Sequence, residues 1–212
     1  MEAATELLLE TGNARSVSIR SVAQRAGVTP PSIYLHFADK DALMDAVCAR
    51  YFEKLDGEMR RAAGKHTSPV ELLRAQALAY VRFATQTPEL YRIATMGEWR
   101  LGSNIDMTLH SSAFEHLRAT VQQLMEDGIY APDDPTTVAL ELWSAAHGVA
   151  AMLIAKPHLP FGDAEEFTDR VLCSVFCGQV VRGLAGPGTP QQLAAWVAAQ
   201  PRSETSSERG LC

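Results

Sequence analysis

Between Asn13 and Lys40 the chain places three arginines and one lysine (Arg15, Arg20, Arg25 and Lys40) against a single acid, Asp39. That local excess of cation sits in a protein whose formal net charge is −6. Tyr34 and His36 stand among these charges, in the stretch "RSVAQRAGVTPPSIYLHFADKDAL" from Arg20 to Leu43. A local excess of cation can form a basic face for an anionic partner. A net acidity argues against a general polyanion binder, yet a total says nothing about one face.

The elements that would hold these groups are short. Ile19, Val22, Ala23 and Ala26 recur at helical spacing, and Gly27 can take the positive φ that turns the chain. Val28 is expected to plug the turn, and Thr29 to cap a second helix bearing Ile33, Tyr34 and Phe37. Two short helices joined through a glycine form a helix-turn-helix, whose second helix can enter a major groove. A plain helical hairpin fits "AxxAGV" equally well.

Helix starts recur along the rest of the chain. A capping side chain precedes a proline at Thr29-Pro30, Ser68-Pro69, Thr87-Pro88, Asp134-Pro135 and Thr189-Pro190. Ser68 with Glu71 and Asp163 with Glu166 add the reciprocal capping-box spacing. These signals predict an all-α chain with helices near 2–11, 18–25, 29–35, 39–64, 69–86, 88–97, 104–127, 135–155, 163–184 and 190–199. The division expected is residues 1–50 as a DNA-binding unit, with helix four running on to about 64. Residues 66–200 form a longer, more apolar unit, and the polar tail 201–212 is expected to be disordered.

The continuation "IYLHFADKDAL" narrows the choice. Ala23, Ala26, Gly27, Val28, Tyr34, His36, Phe37, Asp39, Lys40 and Leu43 together resemble the signature of the tetracycline-repressor family of bacterial regulators. The resemblance covers about a quarter of the chain. It implies that Tyr34, His36 and Lys40 contact phosphate, and that base reading falls to Thr29, Pro30, Pro31, Ser32 and Leu35. Pro31 stands where the family commonly has Gly, and Leu35 where a polar or aromatic residue is frequent. Both can touch a thymine methyl and neither can hydrogen-bond a base edge, so direct reading should be modest and partly shape-based. Arg20 and Arg25 are candidates for charged contacts from helix two, a solvated surface role being the alternative for each. Family members usually carry a basic arm ahead of the first helix; this chain begins inside that helix, so the arm is either short or missing.

Beyond residue 66 the chain shows no GxSxG, no HExxH, no glycine-rich phosphate loop and no informative carboxylate pair. What it has is apolar surface. Met107, His110 and Phe114 share one stripe of helix seven with Leu117, Val121 and Leu124. Phe83, Tyr91, Met96, Trp99 and Trp143 add aromatics and thioether around it, with His147 as a second polar candidate. Each alone reads as core; together they describe a pocket for a small hydrophobic or amphipathic molecule. His110, His147 and Cys173 are not expected to hold a metal, and no cofactor is implied.

"LWSAAHGVAAMLI" resembles the Trp-x3-His-Gly segment of one branch of the family. Ala145, Gly148 and Ala151, with Met152 beside them, make a strip that lets another helix approach closely. Helix nine, carrying Val175, Phe176 and Gly178, is apolar on more than one side and needs two partners. The family resemblance supplies the second: helices eight and nine of two subunits packing about a twofold axis. Cys173 and Cys177, a turn apart there, are expected to be buried small hydrophobes.

No secretory signal or membrane span is expected, since Val138 to Ile154 is interrupted by Glu141 and His147, and four irregularly spaced cysteines suit a reducing cytoplasm. The resulting expectation is a homodimeric regulator, most simply a repressor, that leaves a palindromic double-stranded operator when a small ligand binds. The rivals are a helical enzyme or carrier with an apolar pocket, and an interaction protein with a vestigial helix-turn-helix.

Overall fold

The computed structural model describes residues 1–64, 66–96, 112–186 and 188–201. Ten α-helices and no strand occur among them. They are α1 (Glu2–Thr11), α2 (Ile19–Ala26), α3 (Pro30–Tyr34), α4 (Lys40–Ala63), α5 (Pro69–Gln86), α6 (Pro88–Met96), α7 (Ser112–Glu126), α8 (Pro135–Ala155), α9 (Ala164–Ala185) and α10 (Pro190–Ala199). A 3₁₀ turn, Ala14–Ser16, separates α1 from α2.

Helices α1 to α3 close around the start of α4. Ala4 and Leu8 of α1, Val17, Val22 of α2, and Leu43, Met44 and Val47 of α4 are all buried in one cluster. That cluster does not stop at the small domain: it continues along α4 through Tyr51, Phe52, Leu55 and Met59 into α5, α6, α8 and α9. A second cluster lies under α7 and α8, centred on Phe114, Leu117, Val121, Leu124, Val138 and Leu142. Thus α4 is a single 24-residue rod with one end in the first domain and the other in the bundle. Residues 104–111 of the expected seventh helix, and 202–212 of the expected tail, lie outside the described residues.

The caps differ from expectation at three of the five prolines. Asp134 accepts from the backbone N–H of Thr136 and Thr137, and Thr189 with Gln192 completes a capping box. Thr29 and Ser68 occupy N-cap positions without a side-chain cap bond: Thr29 Oγ1 meets Ser32 Oγ at 3.0 Å, and Glu71 turns to His66 at 3.5 Å. Thr87 Oγ1 instead donates back to the Phe83 carbonyl at 2.7 Å. Proline's fixed φ at the first helical turn sets these starts by itself, so the hydroxyl is free for a neighbour. At the other expected box, Asp163 does cap α9, accepting from Glu165 and Glu166.

Helix α8 is, against expectation, long and apolar enough to cross a membrane by length and composition. In the fold it is the central helix, packed on α5, α7 and α9, which accounts for its composition.

Candidate DNA-reading head and ligand cavity

Helix α2 starts with a capping box between Ser18 and Ser21 and ends at Gly27, whose φ of 69° permits the left-handed turn. The N–H of Val28 reaches the Ala23 carbonyl at 2.9 Å and that of Gly27 the Gln24 carbonyl at 3.3 Å, closing the helix end. Val28 itself stays 44% exposed and does not plug the turn; Ile33 and Phe37 fill that role from α3 and the turn after it. Because those two side chains pin α3 from beneath, its other face is outward. Thr29, Pro30, Pro31, Tyr34, Leu35 and His36 are exposed, Leu35 to 83%, and Ser32 is half-buried.

The cations divide into two groups. Arg25 is turned inward: its guanidinium forks onto Glu10 at 2.7 and 2.5 Å and reaches Glu6 at 3.3 Å, tying α2 to α1. Its own pKa is raised by these bonds, and the guanidinium holds the Glu10 carboxyl below the usual range. Of the two readings open for Arg25, the geometry favours an intramolecular strut over a DNA contact. Arg20 is exposed on α2, and no ion pair among the described residues engages it. Lys40 Nζ donates one of its three hydrogens to the Ala14 carbonyl at 2.8 Å, which holds the ammonium at the start of α4 against the 3₁₀ turn. Asp39 caps that helix through Ala42 N–H at 2.8 Å.

In the bundle, a cavity of about 360 Å³ opens between α4, α5, α7, α8 and α9. Met59, Leu73, Tyr80, Leu117, Leu142, Trp143, Leu172 and Phe176 make most of its wall. Its polar features are few: Gln76, buried and accepting from Thr120 Oγ1 at 3.3 Å, the Arg74–Asp169 pair at 2.6 and 3.0 Å, and two thiols, Cys173 and Cys177. The volume and lining are those of a small-molecule site.

Of the residues expected to form a pocket, Trp143 lines this cavity, and Phe114 lines a gap of about 20 Å³ next to it. Phe83 packs on Tyr51 of α4, ring centres 5.1 Å apart, away from the cavity. Tyr91 is fully buried and His147 half-buried in a cluster behind it. There the Tyr91 hydroxyl donates to the His147 carbonyl at 3.0 Å and meets Nδ1 at 2.9 Å, while the Tyr80 hydroxyl lies 3.2 Å from the same nitrogen. Burial raises both phenols, Tyr91 to about 12, and lowers His147, so all three are held uncharged. Trp99, Met107, His110 and the side chain of Met96 lie outside the described residues. Sequence reasoning missed Arg74, Gln76 and Asp169. Gln76 was visible in principle, as an amide in the stripe Leu73, Gln76, Ala77, Tyr80 of α5, where a helical core position should be apolar.

On the expected interface, Gly148 and Met152 of α8 and Gly178 of α9 are exposed, and Ala145 and Ala151 are half-buried. Val175 packs on the second core cluster and Phe176 lines the cavity, each half-buried in the single chain. Cys173 is half-buried and Cys177 exposed, not buried as expected.

The structure thus joins a helix-turn-helix head, with a short outward-facing helix, by one rod to a cavity-bearing bundle. Comparison with known proteins agrees. Residues 1–47 match the model of "bacterial regulatory proteins, tetR family", and residues 73–175 that of a tetracyclin repressor-like C-terminal domain, together more than two thirds of the chain. The chain belongs to the tetracycline-repressor family. It is 29% identical over 133 residues to the class D tetracycline repressor protein of Escherichia coli, covering 62% of this chain and 57% of that one. It is 32% identical over 91 residues to the HTH-type transcriptional activator FasR of Mycolicibacterium smegmatis, 43% of this chain and 41% of that one. The chain thus spans about half the length of these relatives. The fold is also that of the transcriptional regulator FadR of Bacillus subtilis, solved with stearoyl-CoA: TM-score 0.70, 14% identity, 84% of this chain and 96% of that one.

Proposed function

We propose that this protein is a homodimeric transcriptional regulator that binds an operator through α3 and is released from it by a small apolar or amphipathic ligand. The observation that carries the reading is the rod α4, which holds Lys40 against the recognition head at one end and contributes Met59 to the cavity wall at the other. Tyr34, His36, Lys40 and Arg20 would hold phosphates, while Thr29, Pro30, Pro31, Ser32 and Leu35 face the groove. Arg25 is left out of this set, since its guanidinium is tied to Glu6 and Glu10 of α1. We place the chain in the branch with a Trp-x3-His-Gly segment; Trp143 and His147 lie with ring centres 5.1 Å apart and support that placement. The free face for a second subunit is drawn by Ser144, Gly148 and Met152 of α8 with Arg170, Ser174 and Gly178 of α9, all exposed in the single chain. A cytoplasmic location follows from this role.

The test is selection of bound sequences from a random duplex pool, followed by anisotropy titrations of the winner at several salt concentrations. The expected result is a twofold-symmetric site with half-sites about one helical turn apart and a log–log salt slope of several units. No enrichment at low ionic strength would overturn it.

A further inference from the structure

The cavity wall contains chemistry that an apolar pocket does not require. Cys173 and Cys177 both line it from α9, with Sγ atoms 4.0 Å apart. They are unlike Cys48, which is 2% exposed in the core, its thiol pushed up to about 12 by burial. Cys177 is exposed and Cys173 half-buried, and both reach the cavity from α9.

Two neighbouring thiols can close a disulfide, but one helical turn opposes it. Cβ atoms at this spacing stay about 5–6 Å apart, whereas a disulfide needs about 3.5–4.5 Å. One atom bonded to both sulfurs is a better fit. Two bonds of about 2.3 Å from one atom bring the sulfurs to roughly 3.5–3.8 Å, a small side-chain adjustment from the separation present. The surroundings restrict what that atom can be. Among the described residues no group of three or more His, Cys, Asp or Glu side chains is placed to hold a metal ion. A divalent metal would therefore lack the third and fourth protein ligands of an ordinary site. A trivalent centre with two bonds to sulfur and one to carbon would be complete, and its organic group would enter the cavity beside Leu142, Trp143 and Phe176.

We propose that Cys173 and Cys177 form a dithiol capture site for monosubstituted trivalent arsenicals, with the aryl or alkyl group seated in the cavity. Each sulfur displaces one hydroxide from R–As(OH)₂. Two As–S bonds form, two As–O bonds break, and the thiol protons leave with the oxygens as two waters. No oxidation state changes, so no oxidant is needed.

The binding arm of the test needs no DNA. Phenylarsine oxide, hydrated in buffer to this form, is added to the reduced full-length chain. The expected result is one adduct per chain by native mass spectrometry, with two thiols lost to titration. Excess 2,3-dimercaptopropanol should reverse it, and glutathione should not. Cys173→Ser and Cys177→Ser should each weaken capture at least 100-fold, while the double variant Cys48→Ala, Cys212→Ser keeps it. Ala77→Phe, which narrows the cavity and leaves both thiols, should weaken phenylarsine oxide at least tenfold and leave arsenous acid unchanged. Wild-type capture by either serine variant, loss of only one thiol, or equal effects of Ala77→Phe on both arsenicals would overturn the proposal. Any effect on the operator rests on the function proposed above: an adduct that forms but does not release DNA refutes that coupling and leaves the capture site standing.

Discussion

Single residues carry the turn and the neutral cluster, and each yields a measurable consequence. Gly27 sits at φ 69° with open space where a Cβ would go, so its substitution carries backbone strain and no clash. Gly27→Ala should therefore cost about 1–2 kcal/mol in denaturant melts, the penalty of an L-residue in the left-handed region. A cost near zero would mean the turn can adopt another geometry. His147 has its pKa lowered by burial, so in the folded chain it resists the proton that the unfolded chain accepts below pH ~6.5. The unfolded state then binds more protons in that window, and stability must fall as pH drops below ~6.5 through the lowered native value. His147→Gln should flatten this part of the stability–pH curve; an unchanged slope would assign it to other groups. The turn glycine was legible in the sequence because its physics is local. The partners of His147 were not, since Tyr80 and Tyr91 come from α5 and α6, and only packing brings three polar tips together.

Helices were the most legible scale, and their faces less so. Pro at the first turn and the 3.6-residue periodicity placed nearly every helix, while the hydroxyls of Thr29 and Thr87 went to partners that a linear reading does not show. In α9 the apolar surplus was visible, but not how it divides: Val175 and Phe176, half-buried, pack on the core cluster and the cavity, while Gly178 is exposed. The cavity was anticipated as a property of the domain, yet its wall draws on α5, where only Gln76, an amide in an apolar stripe, gave a sign and Arg74 gave none. The free faces of α8 and α9 make a prediction that separates folding from assembly. A Cβ added at Gly148 or at Gly178 meets nothing within 4 Å in the single chain. Gly148→Leu should thus keep or slightly raise helicity by circular dichroism, while the weight-average mass in sedimentation falls from dimer toward monomer. A variant that remains fully dimeric at micromolar concentration would place the subunit contact elsewhere.

At the scale of the whole molecule, the question is how a filled cavity would be felt at α3. Helix α4 is held to the bundle beside the cavity by Met59 in its wall and by Asp56, whose carboxylate is 4% exposed and lies 2.7 Å from His116 Nδ1 of α7. Arg60 reaches the second oxygen of the same carboxylate at 3.1 Å. A ligand that displaces Met59 must therefore move α4 against a buried polar anchor, and rigid transmission requires that anchor. His116→Ala removes the cross-helix partner and leaves Asp56 with Arg60 alone. The loss should be about 1–3 kcal/mol of stability, the range for a buried polar group deprived of a partner. Its larger effect should fall on coupling. In the unaltered chain a released ligand and operator should weaken one another by the same factor, in the usual range of about 5–150-fold. With the anchor gone, α4 can yield locally, so that factor should shrink toward one while operator affinity in the absence of ligand changes little. Paired titrations, ligand against free and operator-bound protein for both chains, measure this directly. If His116→Ala leaves the mutual factor intact, the signal does not travel through the Asp56 anchor, and the contact of α4 with α5 becomes the route to examine.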